Sequence, residues 1–259
     1  MDAVNRSRHI SGSGPSAQAW AGDAALAAVP AIALDALVPP GSRVVVVAPH
    51  PDDEILTCGA LLHLVAQQGA APLVVAVTDG EASHPGSQAW PPERLRHERA
   101  RETESALACL GIGSERVQRL AIPDGGVTAA EAGLTQRLAD ILQPGDVVIT
   151  TWRFDGHPDH EATARACIEA ARRSGARLLQ APVWGWHWSA PGDGALPLAQ
   201  ARKLLLPAAA LARKRAALGC FHSQIEADAG TGAAPILPAF AIERVLHPFE
   251  LYFIGADHE

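Results

Sequence analysis

The sequence predicts an α/β chain: a Rossmann-like, mostly parallel sheet with helices on both faces. Three observations carry that expectation. The run Arg43 to Ala48 holds four consecutive valines, a helix-spaced segment follows it, and a second apolar run, Leu73 to Thr78, comes next. Apolar runs of this length suit central parallel strands buried on both faces, and their alternation with amphipathic helices builds layered α/β architecture.

Taken in order, the elements extend the pattern. Residues 54–68 place Ile55, Leu56, Leu61, Leu62 and Val65 at roughly helical spacing, so the chain opens β-α-β with a right-handed crossover. A polar loop, Asp79 to Pro92, leads into a charged helix over 93–110 that stops at Gly111. Val117 to Ile122 reads as the third strand, closed by the turn Pro123-Asp124-Gly125-Gly126. Thr128 and Glu131 have capping-box spacing and start a helix to about Gln143. Asp146 to Thr150 and Arg177 to Ala181 are further strands, with a helix over 159–173 between them. Beyond them the pattern loosens. Val183 to Trp188 carries three tryptophans, 208–219 is helical, 226–238 reads as a mobile Gly/Ala/Pro loop, and Phe249 to Ile254 is the final strand. Residues 1–40 form an N-terminal tail with a short helical segment, and 41–259 form one domain with an irregular C-terminal region. The Ser- and Gly-rich stretch 6–17 is expected to be disordered.

Composition narrows the function classes. The formal charge is −7 and no basic patch stands out, which argues against nucleic acid as a partner. Cys58, Cys109, Cys167 and Cys220 form no C-x-x-C pair, so neither a cysteine zinc site nor a disulfide framework is expected, and a reducing, cytoplasmic setting fits. Abundant Ala, Gly and Pro with scarce Lys and a single Met suggest a GC-rich bacterial genome. No apolar stretch is long enough to span a membrane. Residues 20–38 follow Arg6 and Arg8 but are broken by Asp23, Pro30 and Asp35, a poor secretory signal. A homo-oligomer is compatible with everything above.

Two clusters carry chemistry. His50-Pro51-Asp52-Asp53-Glu54 sits where the first strand meets the first helix, the position at which open α/β sheets bind ligands. A histidine and three carboxylates so close together repel unless a cation neutralises them. One of the acids could simply cap the helix. Asp155-Gly156-His157-Pro158-Asp159-His160 also follows a strand and opens a helix, and His157 and His160 share a helix face. Together the clusters can supply the three His and carboxylate ligands of a catalytic zinc site, with acids and a histidine left to move protons. The residues themselves do not choose between Asp52 and Asp53.

On these two motifs the chain resembles the PIG-L/LmbE-like N-acetylglucosaminyl deacetylases over most of residues 43–255. Supporting segments are Thr78-Asp79-Gly80-Glu81, Arg99-Ala100-Arg101-Glu102, Pro123-Asp124-Gly125 and His222-Ser223-Gln224. The resemblance implies one zinc ion per chain, with other divalent metals able to substitute, held by His50, Asp53 and His160. It makes Asp52 the general base and His157 the general acid or oxyanion stabiliser. Arg99 and Asp124 match positions that hold sugar hydroxyls. Some family members carry a tyrosine where this chain has Asp155. The substrate implied is a small N-acyl amino sugar or related amine. Arg99 also has helix-face partners in Glu98 and Glu102, Asp124 suits its turn, and His222 suits a helix end. Trp184, Trp186, His187 and Trp188 fit a cleft wall, a core or an oligomer contact. The rival readings are a zinc esterase or amidase on a non-sugar metabolite, and a non-catalytic sugar- or nucleotide-binding module. The latter is disfavoured because no G-x-G-x-x-G turn follows the first strand.

Overall fold

The computed structural model describes residues 7–255; Arg6 lies outside them. Seven strands form one sheet: β1 (Val44–Ala48), β2 (Leu73–Ala76), β3 (Val117–Arg119), β4 (Val147–Thr151), β5 (Arg177–Ala181), β6 (Ala201–Leu205) and β7 (Phe249–Ile254). Their order is β3-β2-β1-β4-β5-β7-β6. The first five run parallel; β7 is antiparallel to both β5 and β6. Val46 of β1 sits opposite Val74 on one side and Ile149 on the other.

Three short helices come first: α1 (Ala17–Ala21), α2 (Ala24–Ala28) and α3 (Leu34–Leu37). The crossover helices are α4 (Asp53–Gln67), α5 (Pro92–Leu110), α6 (Val127–Ile141) and α7 (Pro158–Ser174). The C-terminal region adds α8 (Gly185–Trp188), α9 (Ala208–Leu218), α10 (His222–Ile225) and α11 (Ala239–Val245). The valines of β1 explain the two layers. Val44 and Val46 pack with Ile55, Leu61, Leu107 and Leu218 on one face, while Val45 and Val47 pack with Leu134, Leu138, Ala166 and Cys167 on the other. An all-apolar strand needs cover on both sides, and the helices supply it.

The structure departs from expectation in four places. The strand β6 carries no clear period in sequence, because Arg202 and Lys203 lie half-buried on this sheet-edge strand. The helix α6 is not capped by Thr128. Its first turn is held by Asp159 from α7, whose carboxylate accepts from the Gly125 and Val127 amides. Residues 7–15, expected to be disordered, are tied down. Arg8 pairs with Glu161 at 2.8 Å, His187 bonds the Ser11 carbonyl, and Arg244 donates to the Ser13 and Pro15 carbonyls. A stretch poor in apolar side chains is thus ordered by cations reaching for its backbone. Residues 226–238 form no helix until Pro238 but are pinned by Asp228, which accepts from Gly230 and Thr231, and by the Leu237 amide on the Gln224 carbonyl.

The helix α4 is broken at Cys58 (φ −146°, ψ 24°). The break frees backbone groups that a buried ion pair then satisfies. Glu250 of β7 accepts from the Ala60 and Leu61 amides. Lys214 of α9 donates to the Leu56 carbonyl and to Glu250 at 2.8 Å, and Tyr252 adds its hydroxyl. A buried pair survives desolvation when every remaining polar group is hydrogen-bonded, as here. No helix among the described residues is long and apolar enough to cross a membrane.

Candidate active site

After β1 the chain goes to β2 and β3 on one side, and then to β4 and β5 on the other. The carboxyl ends of β1 and β4 therefore flank the topological switch point, where a crevice must open. A cavity of about 310 Å³ lies there. All seven side chains singled out in the sequence, His50, Asp52, Asp53, Arg99, Asp124, His157 and His160, line it.

Three donor atoms converge. His50 Nδ1 is 3.2 Å from His160 Nε2 and 3.3 Å from Asp53 Oδ2, and the latter two are 3.2 Å apart. The opposite ring nitrogens fix which atoms carry hydrogens. His160 Nδ1 lies 2.8 Å from Asp155 Oδ2, and His50 Nε2 lies 3.2 Å from Asp124 and 3.4 Å from Asp159. Each carboxylate holds a hydrogen on the nitrogen facing it, so each inner nitrogen presents a lone pair. Two lone pairs and a carboxylate oxygen aimed at one point repel unless a cation sits between them. Donors about 2.0–2.1 Å from a tetrahedral ion stand roughly 3.3–3.4 Å apart, and the observed triangle matches. The residues present fit a divalent metal of the kind that takes mixed nitrogen and oxygen ligands. His157 also comes near His50 and His160. Its Nδ1, however, accepts from the Asp159 amide at the start of α7, which leaves its Nε2 as a hydrogen-bond donor.

Asp52 and Asp53 are separated by the backbone. Asp52 has φ 120°, a region that non-glycine residues rarely adopt, and such strain costs about 1–3 kcal/mol. It turns Asp52 away from the donor triangle toward Arg99, whose Nη2 lies 3.1 Å from Asp52 Oδ2. Arg99 is buried and also donates to the Pro51 and Gly80 carbonyls. Gly80 must be glycine, since a Cβ there would collide with that guanidinium. Glu54 lies outside the triangle and accepts from the Asp52 amide. Burial pushes the Asp52 carboxyl up to about 8, with Arg99 opposing and Asp53 and Glu54 assisting. Burial also raises Glu54 to about 7. Burial, then the charges of His160 and His50, lowers His157 to about 3. Burial pulls His160 down, but Asp53 and Asp155 outweigh it and raise it to about 9, so that without a metal a proton takes the cation's place among these groups.

Sequence reasoning missed Asp155 and Asp159 as contributors. Asp155 accepts from the Val183, Trp184 and Gly185 amides as well as orienting His160. Their signal was the carboxylate beside each histidine in the second motif. Other residues take ordinary places. Glu102 accepts from Ser223 rather than pairing with Arg99, and the exposed His222 pairs with Glu226. The tryptophan segment divides its work. Trp184 lines the cavity, Trp186 packs edge-on to Trp20, and Trp188 stacks on Trp152.

Fold and site together define a Rossmann-like chain in which two histidine nitrogens and one carboxylate oxygen converge at the switch point, a donor set that fits a metal ion. Residues 45–171 match the profile of the PIG-L family, GlcNAc-PI de-N-acetylase. It is similar to the 1D-myo-inositol 2-acetamido-2-deoxy-alpha-D-glucopyranoside deacetylase of Mycolicibacterium gilvum, 31% identical over 186 residues. That match covers 60% of this chain and 61% of the relative, so the chain spans about three fifths of the relative's length. Among solved structures it resembles the zinc-inhibited form of teicoplanin deacetylase (TM-score 0.58, 21% identity, 71% of this chain and 85% of that one). It also resembles GalB, the 4-carboxy-2-hydroxymuconate hydratase of Pseudomonas putida (TM-score 0.52, 22% identity, 71% and 80%). At these identities the likeness concerns the fold.

Proposed function

We propose that this chain hydrolyses the N-acyl bond of an amino sugar or related small amine, with zinc as the resident metal and the cytoplasm as its setting. The observation that carries the reading is the triangle of His50, Asp53 and His160 donors with Asp52 turned aside next to it. The family match and the deacetylase relative favour an amide as substrate. The hydratase neighbour is a reminder that fold alone does not choose the reaction.

When bound, the metal would polarise the acyl carbonyl and acidify a water. Asp52 sits beside that position with a proton affinity raised by burial well above that of an ordinary carboxylate, and in this reading it takes the proton of the attacking water. Arg99 fixes the direction in which that carboxylate points. His157 Nε2 donates to the oxygen on which charge develops. Asp52, having taken that proton, is placed to return it to the departing nitrogen. Water and amide give a carboxylate and an ammonium ion, so the step balances without a further reactant. Asp124 and Arg99 stand where hydroxyls of the amine would meet the cavity wall.

The test is release of free amine from N-acetylglucosamine derivatives by zinc-loaded protein, beside an acyl-ester panel. Amine release that depends on metal and on Asp52 is expected. Ester hydrolysis without amide hydrolysis would replace this reading with the esterase.

A further inference from the structure

Two of the four cysteines meet away from the cavity. Cys109 is the last residue but one of α5, and Cys220 follows the end of α9 by two residues. Their Sγ atoms lie 3.8 Å apart, although 111 residues separate them in the chain. Both segments are fixed beside that meeting. Leu107 and Leu110 of α5 are buried in the same hydrophobic cluster as Leu218 and Phe221, which flank Cys220. Ser223 gives its amide and its hydroxyl to Glu102 of α5, at 2.7 and 2.6 Å. Arg213 of α9 donates to the Cys109 carbonyl. Cys109 and Cys220 are half-buried, whereas Cys58 and Cys167 are fully enclosed. Burial raises the Cys58 thiol and pushes the Cys167 thiol up to about 12, so both are held as inert thiols.

We infer that Cys109 and Cys220 are a modification site: met by a peroxide, they close into a reversible disulfide that clasps α5 to the segment joining α9 and α10. The inference stands apart from the hydrolase reading. A disulfide bond is about 2.05 Å long, so two sulfurs already in contact need to approach by roughly 1.8 Å. Thiolate is the attacking form. Burial, then the hydrogen bond and charge of Cys109, push the Cys220 thiol up to about 11. Cys220 therefore keeps its hydrogen and gives it to the Cys109 sulfur, and Cys109 reacts first. Its thiolate attacks one peroxide oxygen, the O–O bond breaks, and the departing hydroxide takes a proton to become water. Cys109 is then a sulfenic acid. The Cys220 sulfur gives up its proton and attacks the Cys109 sulfur. The S–S bond forms, the S–O bond breaks, and a second water leaves. Two thiols and one hydrogen peroxide thus give one disulfide and two waters, the sulfurs supplying both electrons. A partner already in contact captures the sulfenic acid before further oxidation makes the damage irreversible. Arg99 of α5 and Gln224, four residues after Cys220, both line the cavity, so the clasp joins two segments that wall the site.

The experiment treats the folded, zinc-loaded protein with a few equivalents of hydrogen peroxide, blocks remaining thiols with N-ethylmaleimide, and maps peptides by mass without reduction. The expected result is a linked pair of peptides joining Cys109 to Cys220, lighter than the separate peptides by two hydrogens and parted by dithiothreitol. Cys58 and Cys167 should stay unoxidised. Closing a loop of this length should raise Tm on the order of 10 °C over the reduced protein. Cys109→Ser and Cys220→Ser should each abolish both the link and the rise. In Cys220→Ser, Cys109 should go on to sulfinic acid; in Cys109→Ser, Cys220 should remain a thiol at the same dose. Thiols left untouched in the wild type would overturn the inference, as would sulfinic acid in place of the link. So would a bond between two chains, a bond involving Cys58 or Cys167, or a bond that forms only in unfolded protein. A linked protein that melts no higher than the reduced one would remove the clasp. The wild-type map and melting decide the matter even where a variant fails to fold.

Discussion

Two turns build the centre, and they do so by opposite means. The turn from β1 to α4 is strained, with Asp52 at φ 120° and four chemically active side chains in five residues. The turn from β4 to α7 is relaxed: His157 caps the helix, Pro158 opens it, and the remaining acids point backward to hold imidazoles. The first turn supplies reactivity and must be restrained from outside by Arg99. The second supplies orientation and is restrained from within by Asp155 and Asp159. A site divided this way can lose orientation gradually but loses reactivity abruptly.

That contrast sets the order of expected effects. The largest comes where the turns meet. His160→Ala or Asp53→Ala should abolish metal uptake, measured as bound metal per chain, and with it all turnover. Next is Asp52→Asn, which should keep the metal but lower kcat by about 10²- to 10⁴-fold. Wild-type turnover in that variant would erase the distinction between the turns. Asp155→Asn disturbs the carboxylate oxygen shared by His160 and the Trp184 amide and should weaken metal affinity by about 10- to 100-fold, measured by competition with a chelator. A loss as complete as that of His160→Ala would show that the second turn binds as well as orients.

The smallest effect lies away from both turns and serves as their control. His247 is buried, stacked on Phe249 at 5.0 Å, and lowered to about 4 by burial and by Lys214. Its folded-state value lies below its unfolded one, so the unfolded chain binds more protons in between. Its contribution to stability is therefore present above about 6.5 and lost as pH falls toward 4. His247→Phe should flatten that acid limb by about 2–3 kcal/mol, read from denaturant midpoints at pH 7 and pH 4.5. Activity at neutral pH should not follow the change.

Much of the fold was legible because burial leaves a period. The valines of β1 had to be central, and the helices of both layers announced themselves by spacing. The strand β6 did not, because half its residues face outward at the sheet edge. In the site, residue types were legible and directions were not. Nothing in Asp52-Asp53 reveals that one backbone angle turns the first aside. Likewise Asp155 and Asp159 looked like more acid near a cluster, when their use is to choose which imidazole nitrogen stays bare. The anchoring of residues 7–15 was hidden for another reason: the groups that hold it, Arg244, His187 and Glu161, lie more than a hundred residues away.

The break in α4 has a consequence for timing. The helix begins with Asp53, yet its second half relies on a carboxylate 190 residues further along the chain. During synthesis the residues of the first turn emerge early and wait. Until Glu250 and Lys214 arrive, the Ala60 and Leu61 amides and the Leu56 carbonyl have no protein partner. The second half of α4 therefore completes its hydrogen bonds only when β7, the last strand, is in place, although the helix itself is made early.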